Sequence, residues 1–321
     1  MNTTYWFHSV YEYTTLPAIY TFVFIIGLGA NVWGLKSLLQ KWKILGHINV
    51  FLLNLGIANF LFLPTLPFLS AYYFMDSKWI FGDAFCKMTR FCFNLNLYGS
   101  IGFLTCISVY RYLAIVHPMK VMGRITVTHS VAISVLIWLL VSAQSFPDMF
   151  FPKNSKNRTE KCYHTTSYDY VEDYLKYSVG WTLTGFVIPF LILLGSYGHV
   201  TLVLCRINTI DKVVKQRSLK LMFILILLFS VCYIPYQIFK NLSLYSRVLY
   251  SRYKKYPTWD ERVFGAHQIS RGLVCLNSVL NPLVYLHVMD IPAQIRQMLQ
   301  RFRQIFVSEF SSVPVAQSAD V

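Results

Sequence analysis

The sequence predicts an all-α membrane protein: a seven-transmembrane helix bundle followed by an amphipathic cytoplasmic eighth helix. Three observations carry this. Of the 321 residues 55% are hydrophobic, only 13% are charged, and the charges are spaced so that long apolar gaps remain. An average soluble domain carries roughly 25% charged residues, so a soluble fold is disfavoured at once. A helix crossing the hydrocarbon core needs about 20 residues without ionised groups. Seven windows free of Asp, Glu, Lys and Arg reach that scale: 13–35, 48–75, 91–110, 125–147, 177–205, 221–239 and 272–289. Lipid offers no water to backbone amides, so each window must satisfy its own N–H and C=O groups as a helix.

The first window follows a polar, aromatic stretch with no basic n-region, so it is expected to direct its own insertion rather than follow a cleaved signal. The loops between windows are short, and no repeat of fixed period or low-complexity tract interrupts them. After the seventh window, Ile295, Met298, Leu299, Phe302 and Phe306 recur at helical spacing on one face and Arg296, Arg301 and Arg303 occupy the other. Such a helix lies in the interface, its bases near anionic lipid heads. The expected organisation is an extracellular N-terminus at 1–16, the seven-transmembrane bundle at 17–289, and the amphipathic helix with a short cytoplasmic tail at 290–321.

Orientation follows from the bases near the helix ends. One side of the bundle holds fourteen bases against four acids, the other fifteen against ten. The first side is cytoplasmic, and an odd number of spans then puts the N-terminus outside. Glycosylation triplets at Asn2 and Asn157 fall on that outer side, whereas a third at Asn241 sits too close to the membrane to be used. Of seven cysteines, five lie within apolar windows, where a thiol is ordinarily a small apolar filler. Cys86 and Cys162 are both expected in the oxidising outer compartment, where a disulfide between them would pin the loop between the fourth and fifth helices across the mouth of the bundle.

Composition also narrows the function. No window contains an Asp or Glu, which disfavours a proton or cation pathway, and seven spans do not divide into equal repeats. No nucleophile elbow, HExxH or P-loop is present and the eight histidines are scattered, so neither an enzyme nor a metal or cofactor site is indicated. What stands out are Arg90, Lys240 and Arg271, each bordering a window at its outer end. Three bases converging with no intramembrane acid repel one another and call for an anionic partner. Separate snorkelling, or pairing with Asp169, Glu172, Asp173, Asp260 or Glu261, is the alternative. Arg247, Arg252, Lys254, Lys255 and Arg262 add a cationic field that would draw an anion inward.

Asn31, Leu53-Asn54-Leu55, Cys86, Tyr110-Arg111-Tyr112, Trp138, Pro189, Tyr197, Phe229, Pro235 and Asn281-Pro282-Leu283-Val284-Tyr285 occur in the order that resembles a rhodopsin-like (class A) G-protein-coupled receptor. The resemblance runs from about residue 15 to 306. It implies an activation switch built on Arg111, Tyr197, Phe229, Asn281, Pro282 and Tyr285, with the sixth helix swinging to open a cleft for a heterotrimeric G protein. Finer stretches resemble the metabotropic purinergic receptors, above all the ADP-responding type: Lys87-Met88-Thr89-Arg90-Phe91, Asn96 to Ile101, Cys162-Tyr163-His164-Thr165-Thr166-Ser167, Tyr233 to Lys240, and Gln268-Ile269-Ser270-Arg271-Gly272-Leu273.

That resemblance implies an extracellular nucleotide ligand, ADP- or ATP-like, at the plasma membrane. Arg90, Lys240 and Arg271 would meet the phosphates with Arg247 nearby, and Asn94, Tyr98, Tyr163, Thr165, Gln237 and Gln268 would line the pocket, with Phe93 and Phe264 as further aromatics. Coupling through the phospholipase-C-activating G-protein class is implied in the same way. The alternatives are a class A receptor for another small anion (a dicarboxylate, nucleotide sugar or oxidised lipid) and, in a different class, an anion transporter or channel. Membrane lipids are expected partners and nucleic acid polymers are not.

Several residues depart from the family pattern. Gln237 and Asn94 stand where histidines are expected, the cysteine pair tying the N-terminus to the third outer loop is missing, and Asn59 replaces an aspartate that holds sodium between helices. With Asn277, Ser278 and Asn281 opposite, Asn59 is expected to join a neutral hydrogen-bonded cluster. Tyr110 replaces the acidic neighbour of Arg111, which implies a weaker restraint on the inactive state and measurable basal signalling.

Overall fold

A computed structural model describes residues 14–40, 42, 47–75, 77–117, 126–151, 162, 167–206 and 212–311. Side chains at 212–214, 217 and 286–311 lie outside the description. Among the described residues all regular structure is helical: α1 (Leu16–Gln40), α2 (Ile48–Phe74), α3 (Asp83–Val116), α4 (Val127–Met149), α5 (Tyr168–Arg206), α6 (Ser218–Tyr253) and α7 (Asp260–Ser311). The first six are long and apolar enough to cross a membrane by length and composition. The seventh apolar window falls in α7. The helical backbone continues to Ser311 through the segment expected to form the eighth helix, whose side chains are not described.

The bundle has a core of large side chains such as Leu52, Phe62, Phe103 and Phe229, but α4 buries small polar residues and turns its large apolar ones outward. On α4, Ser130, Ser134 and Ser145 are buried, while Leu136, Leu139 and Leu140 are more than half exposed. Lipid is as apolar as leucine, so the drive to bury leucine is lost and close approach of small residues sets the packing instead. Gly102 of α3 illustrates this, since a Cβ there would sit 3.0 Å from Ile137 of α4. Three helices are interrupted along their length next to proline, and α4 closes in a 3₁₀ turn at Phe146–Met149 around Pro147. α2 tightens into a 3₁₀ turn at Leu63–Thr65, and α5 and α6 widen into π turns at Leu183–Val187 and Phe229–Tyr233, just before Pro189 and Pro235. Proline lacks the N–H of the regular ladder and its ring crowds the carbonyl four residues back, which favours a change of pitch at these turns, whereas α7 continues as regular helix through Pro282.

Polar side chains fasten the bundle. Trp138 Nε1 donates to Asn54 Oδ1 at 2.7 Å, joining α4 to α2. Asn59 is the hub of a larger cluster. Its Nδ2 donates to Asn31 Oδ1 at 2.8 Å, and its Oδ1 accepts from Asn96 Nδ2 at 2.9 Å and from Asn281 Nδ2 at 3.1 Å. Asn31 Nδ2 in turn donates to the Ser278 carbonyl at 2.8 Å. Helices α1, α2, α3 and α7 therefore meet through neutral amides.

Close to this hub, α1 and α7 touch at a glycine. A Cβ on Gly34 would lie 2.5 Å from Tyr285 Cδ2, and the Tyr285 ring is fully buried and has nowhere to go. Gly34→Val is expected to force the two helices apart at a cost of about 1–3 kcal/mol, lowering thermal stability and surface density. Gly29→Ala, on the same helix with nothing within 4 Å of its added Cβ, should leave both unchanged in the same thermal-shift assay.

Candidate functional site

The Cys86–Cys162 disulfide, with Cα atoms 5.5 Å apart, marks one end of the bundle. The chain enters α3 there through Gly82, whose φ of +84° favours a residue without Cβ and whose carbonyl accepts from Trp79 Nε1 at 2.8 Å and from the Cys86 amide at 3.1 Å. One turn further, Arg90 is buried, and its Nε has no hydrogen-bond partner among the described residues. Across the bundle, Arg271 of α7 is buried and extends Nη1 to the Tyr73 hydroxyl of α2 and to Gln268 Oε1, each at 3.0 Å. Lys240 of α6 is half-buried with Nζ 5.9 Å from the centre of the Tyr236 ring.

These bases share surroundings. Tyr236 feels the charges of both Lys240 and Arg271, and so does His267, whose ring lies 5.8 Å from that of Tyr236. Phe93, one turn below Arg90 on α3, packs its ring 5.8 Å from Tyr236 as well. Tyr236 and His267 thus form a wall between α6 and α7, with Lys240 and Arg271 on it and Arg90 on the adjoining helix. Among the described residues neither Arg90 nor Lys240 makes an ion pair with a carboxylate. Asp148, a buried acid at the end of α4, lies within electrostatic reach of Lys240 but accepts a 2.6 Å hydrogen bond from the Tyr174 hydroxyl.

The remaining expected pocket residues are dispersed around this wall. Tyr98 is buried and stacks on Trp181 with ring centres 4.4 Å apart, and Gln237 is buried and donates from Nε2 to the Tyr98 hydroxyl at 3.4 Å. Asn94 and Phe264 are half-buried. Arg247 stands apart: its guanidinium lies 4.7 Å over the Tyr168 ring. That ring belongs to a cluster with Tyr250 and Tyr256, in which the Tyr168 and Tyr256 hydroxyls share a hydrogen bond and burial raises the Tyr256 phenol above its ordinary range. Arg252 Nη2 pairs with Glu172 at 2.8 Å beside it. Tyr163 and Thr165, and the sequons at Asn2 and Asn157, lie outside the described residues. Asn241, the third sequon asparagine, is half-buried with its amide bonded to α5. Tyr73 and His267 had no signal in the sequence beyond their types, and Tyr236 lay in the family-like stretch Tyr233 to Lys240 without being singled out; their cross-helix contacts reveal all three.

The sequence matches the 7 transmembrane receptor (rhodopsin family) profile over residues 31–285. It is also similar to the Y-type purinoceptor 1 of Cavia porcellus, 39% identical over 280 residues that cover 86% of this chain and 74% of the relative. The chain belongs to the rhodopsin-family receptors, among the Y-type purinoceptors. The Y-type purinoceptor 1 of Homo sapiens is 38% identical over the same share of both chains. The Y-type purinoceptor 4 of Xenopus laevis is 32% identical over 286 residues, 87% of this chain and 52% of that one. This is a family of G-protein-coupled receptors and not of enzymes, and the chain is a multi-pass membrane protein.

Between this site and the receptor's other end lie the switch residues implied by the family resemblance, with Arg111 and Tyr197 the farthest from the disulfide. Arg111 is buried near the end of α3 beside the half-buried Tyr110. Tyr197 of α5 packs with Val200, Leu204 and Met222. Phe229 is fully buried at the start of the α6 π turn against Phe186 and Phe190 of α5, and Asn281, Pro282 and Tyr285 are buried on α7. A carboxylate at position 110 would offer Arg111 a fixed counter-charge. Tyr110→Asp is therefore expected to lower basal G-protein nucleotide exchange severalfold, and unchanged basal exchange at equal receptor density would contradict this role. The sodium site associated with this fold does not fit here. Cations of this kind are held by carboxylate and carbonyl oxygens, while Asn59 presents an N–H₂ to Asn31 and spends its oxygen on two amide donors.

Proposed function

We propose that this receptor sits in the plasma membrane with its N-terminus and the Cys86–Cys162 end outside, binds an extracellular nucleoside di- or triphosphate, and activates heterotrimeric G proteins. The observation that carries the reading is the placing of Lys240 and Arg271 on one aromatic wall, with Arg271 hydrogen-bonded by neutral groups of α2 and α7 and Lys240 making no ion pair among the described residues. Guanidinium forks and an ammonium suit phosphate oxygens, and a polyphosphate has the charge to neutralise several bases together. The names of the relatives point to the same ligand class. Arg90, Lys240 and Arg271 would hold the phosphates, and Asn94, Tyr98, Gln268 and the loop residues Tyr163 and Thr165 would bound the rest, with Arg247 at the rim. Signalling through the phospholipase-C-activating class belongs to this proposal.

A dose–response panel of nucleotides, dicarboxylates and nucleotide sugars on expressing cells, scored by calcium and cyclic AMP, tests it. Activation by nucleoside di- or triphosphates with a calcium rise is expected. Activation confined to dicarboxylates, nucleotide sugars or oxidised lipids would replace the ligand assignment with another small anion.

A further inference from the structure

Where α5, α6 and α3 meet, on the ligand side of both π turns, five side chains form one directed hydrogen-bond chain. Ser178 Oγ donates to Asn241 Oδ1 at 2.8 Å, and Asn241 Nδ2 donates to Thr182 Oγ1 at 2.8 Å. The Thr182 hydroxyl shares its proton between Gln237 Oε1 at 3.1 Å and the Ser178 carbonyl of its own helix at 3.0 Å, and Gln237 Nε2 donates to the Tyr98 hydroxyl at 3.4 Å. Asn241 Nδ2 also reaches back to the Gln237 carbonyl at 2.8 Å, so the helical turn that carries Lys240 is clamped at both of its ends. The far end is held in turn: Tyr98 is stacked on Trp181, and a Cβ on Gly185 would come within 2.9 Å of both rings. Trp181 itself donates from Nε1 to the Gln144 carbonyl of α4 at 2.9 Å.

Position gives this chain its meaning. Thr182 is the last residue before the α5 π turn Leu183–Val187, and Gln237 lies one turn beyond the α6 π turn Phe229–Tyr233. Above those turns the two helices are tied by polar bonds in a seam where Ser178 and Gln237 are buried; at the turns, aromatic stacking of Phe229 on Phe186 and Phe190 takes over. Hydrogen bonds in such a chain strengthen one another, and a buried donor or acceptor released from it has no water to turn to. The seam therefore favours being wholly closed or wholly open, which is the behaviour a two-state element needs.

We infer that Ser178, Asn241, Thr182, Gln237 and Tyr98 form a latch that positions Lys240 and holds α6 against α5 and α3 in the resting receptor, and that an anion drawn to Lys240 acts on α6 by loading this latch. The second half of that statement rests on the nucleotide reading; the first does not. Both polar ends of the Gln237 amide are spent within the protein, so Gln237 is a positioning residue rather than a ligand contact.

The test is basal nucleotide exchange on G protein in membranes from cells expressing the full chain, without ligand, at matched receptor amount. Thr182→Val keeps the side-chain shape and removes the hydroxyl, and is expected to raise basal exchange at least threefold. Asn241→Ala should do the same, and Thr182→Ser should return exchange to the wild-type level. Gln237→Ala should raise basal exchange as well, whereas a mere ligand contact would lower nucleotide potency and leave basal exchange alone. Basal exchange within twofold of wild type for Thr182→Val and Asn241→Ala overturns the latch. A rise that Thr182→Ser fails to reverse does so too, because the hydroxyl is then not the cause. The assay needs no ligand, so a failed nucleotide assignment leaves its result standing.

Discussion

Arg271→Ala is expected to weaken nucleotide potency about thirty- to hundredfold while the receptor still reaches the surface. A charge-assisted hydrogen bond contributes roughly 1.5–3 kcal/mol, and each 1.4 kcal/mol is about tenfold in affinity. Arg271 holds two neutral partners, the Tyr73 hydroxyl and Gln268, so its removal breaks up no internal ion pair with either of them. Tyr73→Phe should therefore cost much less, since it removes one support of the guanidinium and none of its charge. Lys240→Ala is expected to match Arg271→Ala in direction. The double variant should lose less than the two single losses combined, because groups that bind one polyanion are coupled. Agonist dose–response with surface density measured on intact cells decides the matter: normal potency in both single variants removes the pocket assignment.

The parts of this receptor legible in the sequence are those where one residue type at one depth has a single physical outcome. Gaps between charges gave the spans because an unpaired ionised group in hydrocarbon is costly, and six of the seven windows fall in helices long and apolar enough to cross a membrane. Cys86 and Cys162 were readable because two outer thiols in a short loop framework have few other options, and they are bonded. Asn59 was readable as the centre of a neutral cluster because Ser278 and Asn281 opposite it are also uncharged: Asn281 bonds to it directly and Ser278 through Asn31, while among the described residues no bond ties the expected Asn277 amide to the cluster. The aromatic wall was not. Arg271 meets Tyr73 across 198 residues of chain and Gln237 meets Tyr98 across 139, and no periodicity within either helix encodes such a meeting. The π turns on α5 and α6 could be suspected from Pro189 and Pro235, yet the register they impose, which puts Thr182 beside Gln237 and Asn241, depends on how two helices lie together. Glutamine in place of a family histidine reads from sequence as a change of ligand preference; in the seam it is an amide with both ends occupied.

Agonist affinity in this receptor is expected to change less than twofold when sodium replaces N-methylglucamine at equal ionic strength, and Asn59→Asp is expected to make it sodium-dependent. The wild-type hub is self-sufficient: Asn59 donates once and accepts twice, all within neutral amides. A carboxylate in its place keeps the two bonds accepted from Asn96 and Asn281 but loses the donor, and its second oxygen then faces Asn31 Oδ1 at the position of a hydrogen bond now 2.8 Å long. Two oxygens at that separation repel unless a proton or a cation lies between them, and a carboxylate buried among helices is strongly driven to take up one or the other. With Ser278 Oγ and Asn96 Oδ1 close by, further oxygens are available to a small cation. A cation there would tie α2 to α3 and α7 and favour the resting bundle, so sodium should lower agonist affinity in Asn59→Asp severalfold and leave the wild type unmoved. Competition binding in the two salts reads both outcomes, and a marked sodium-induced loss of agonist affinity in the wild type would refute the neutral hub.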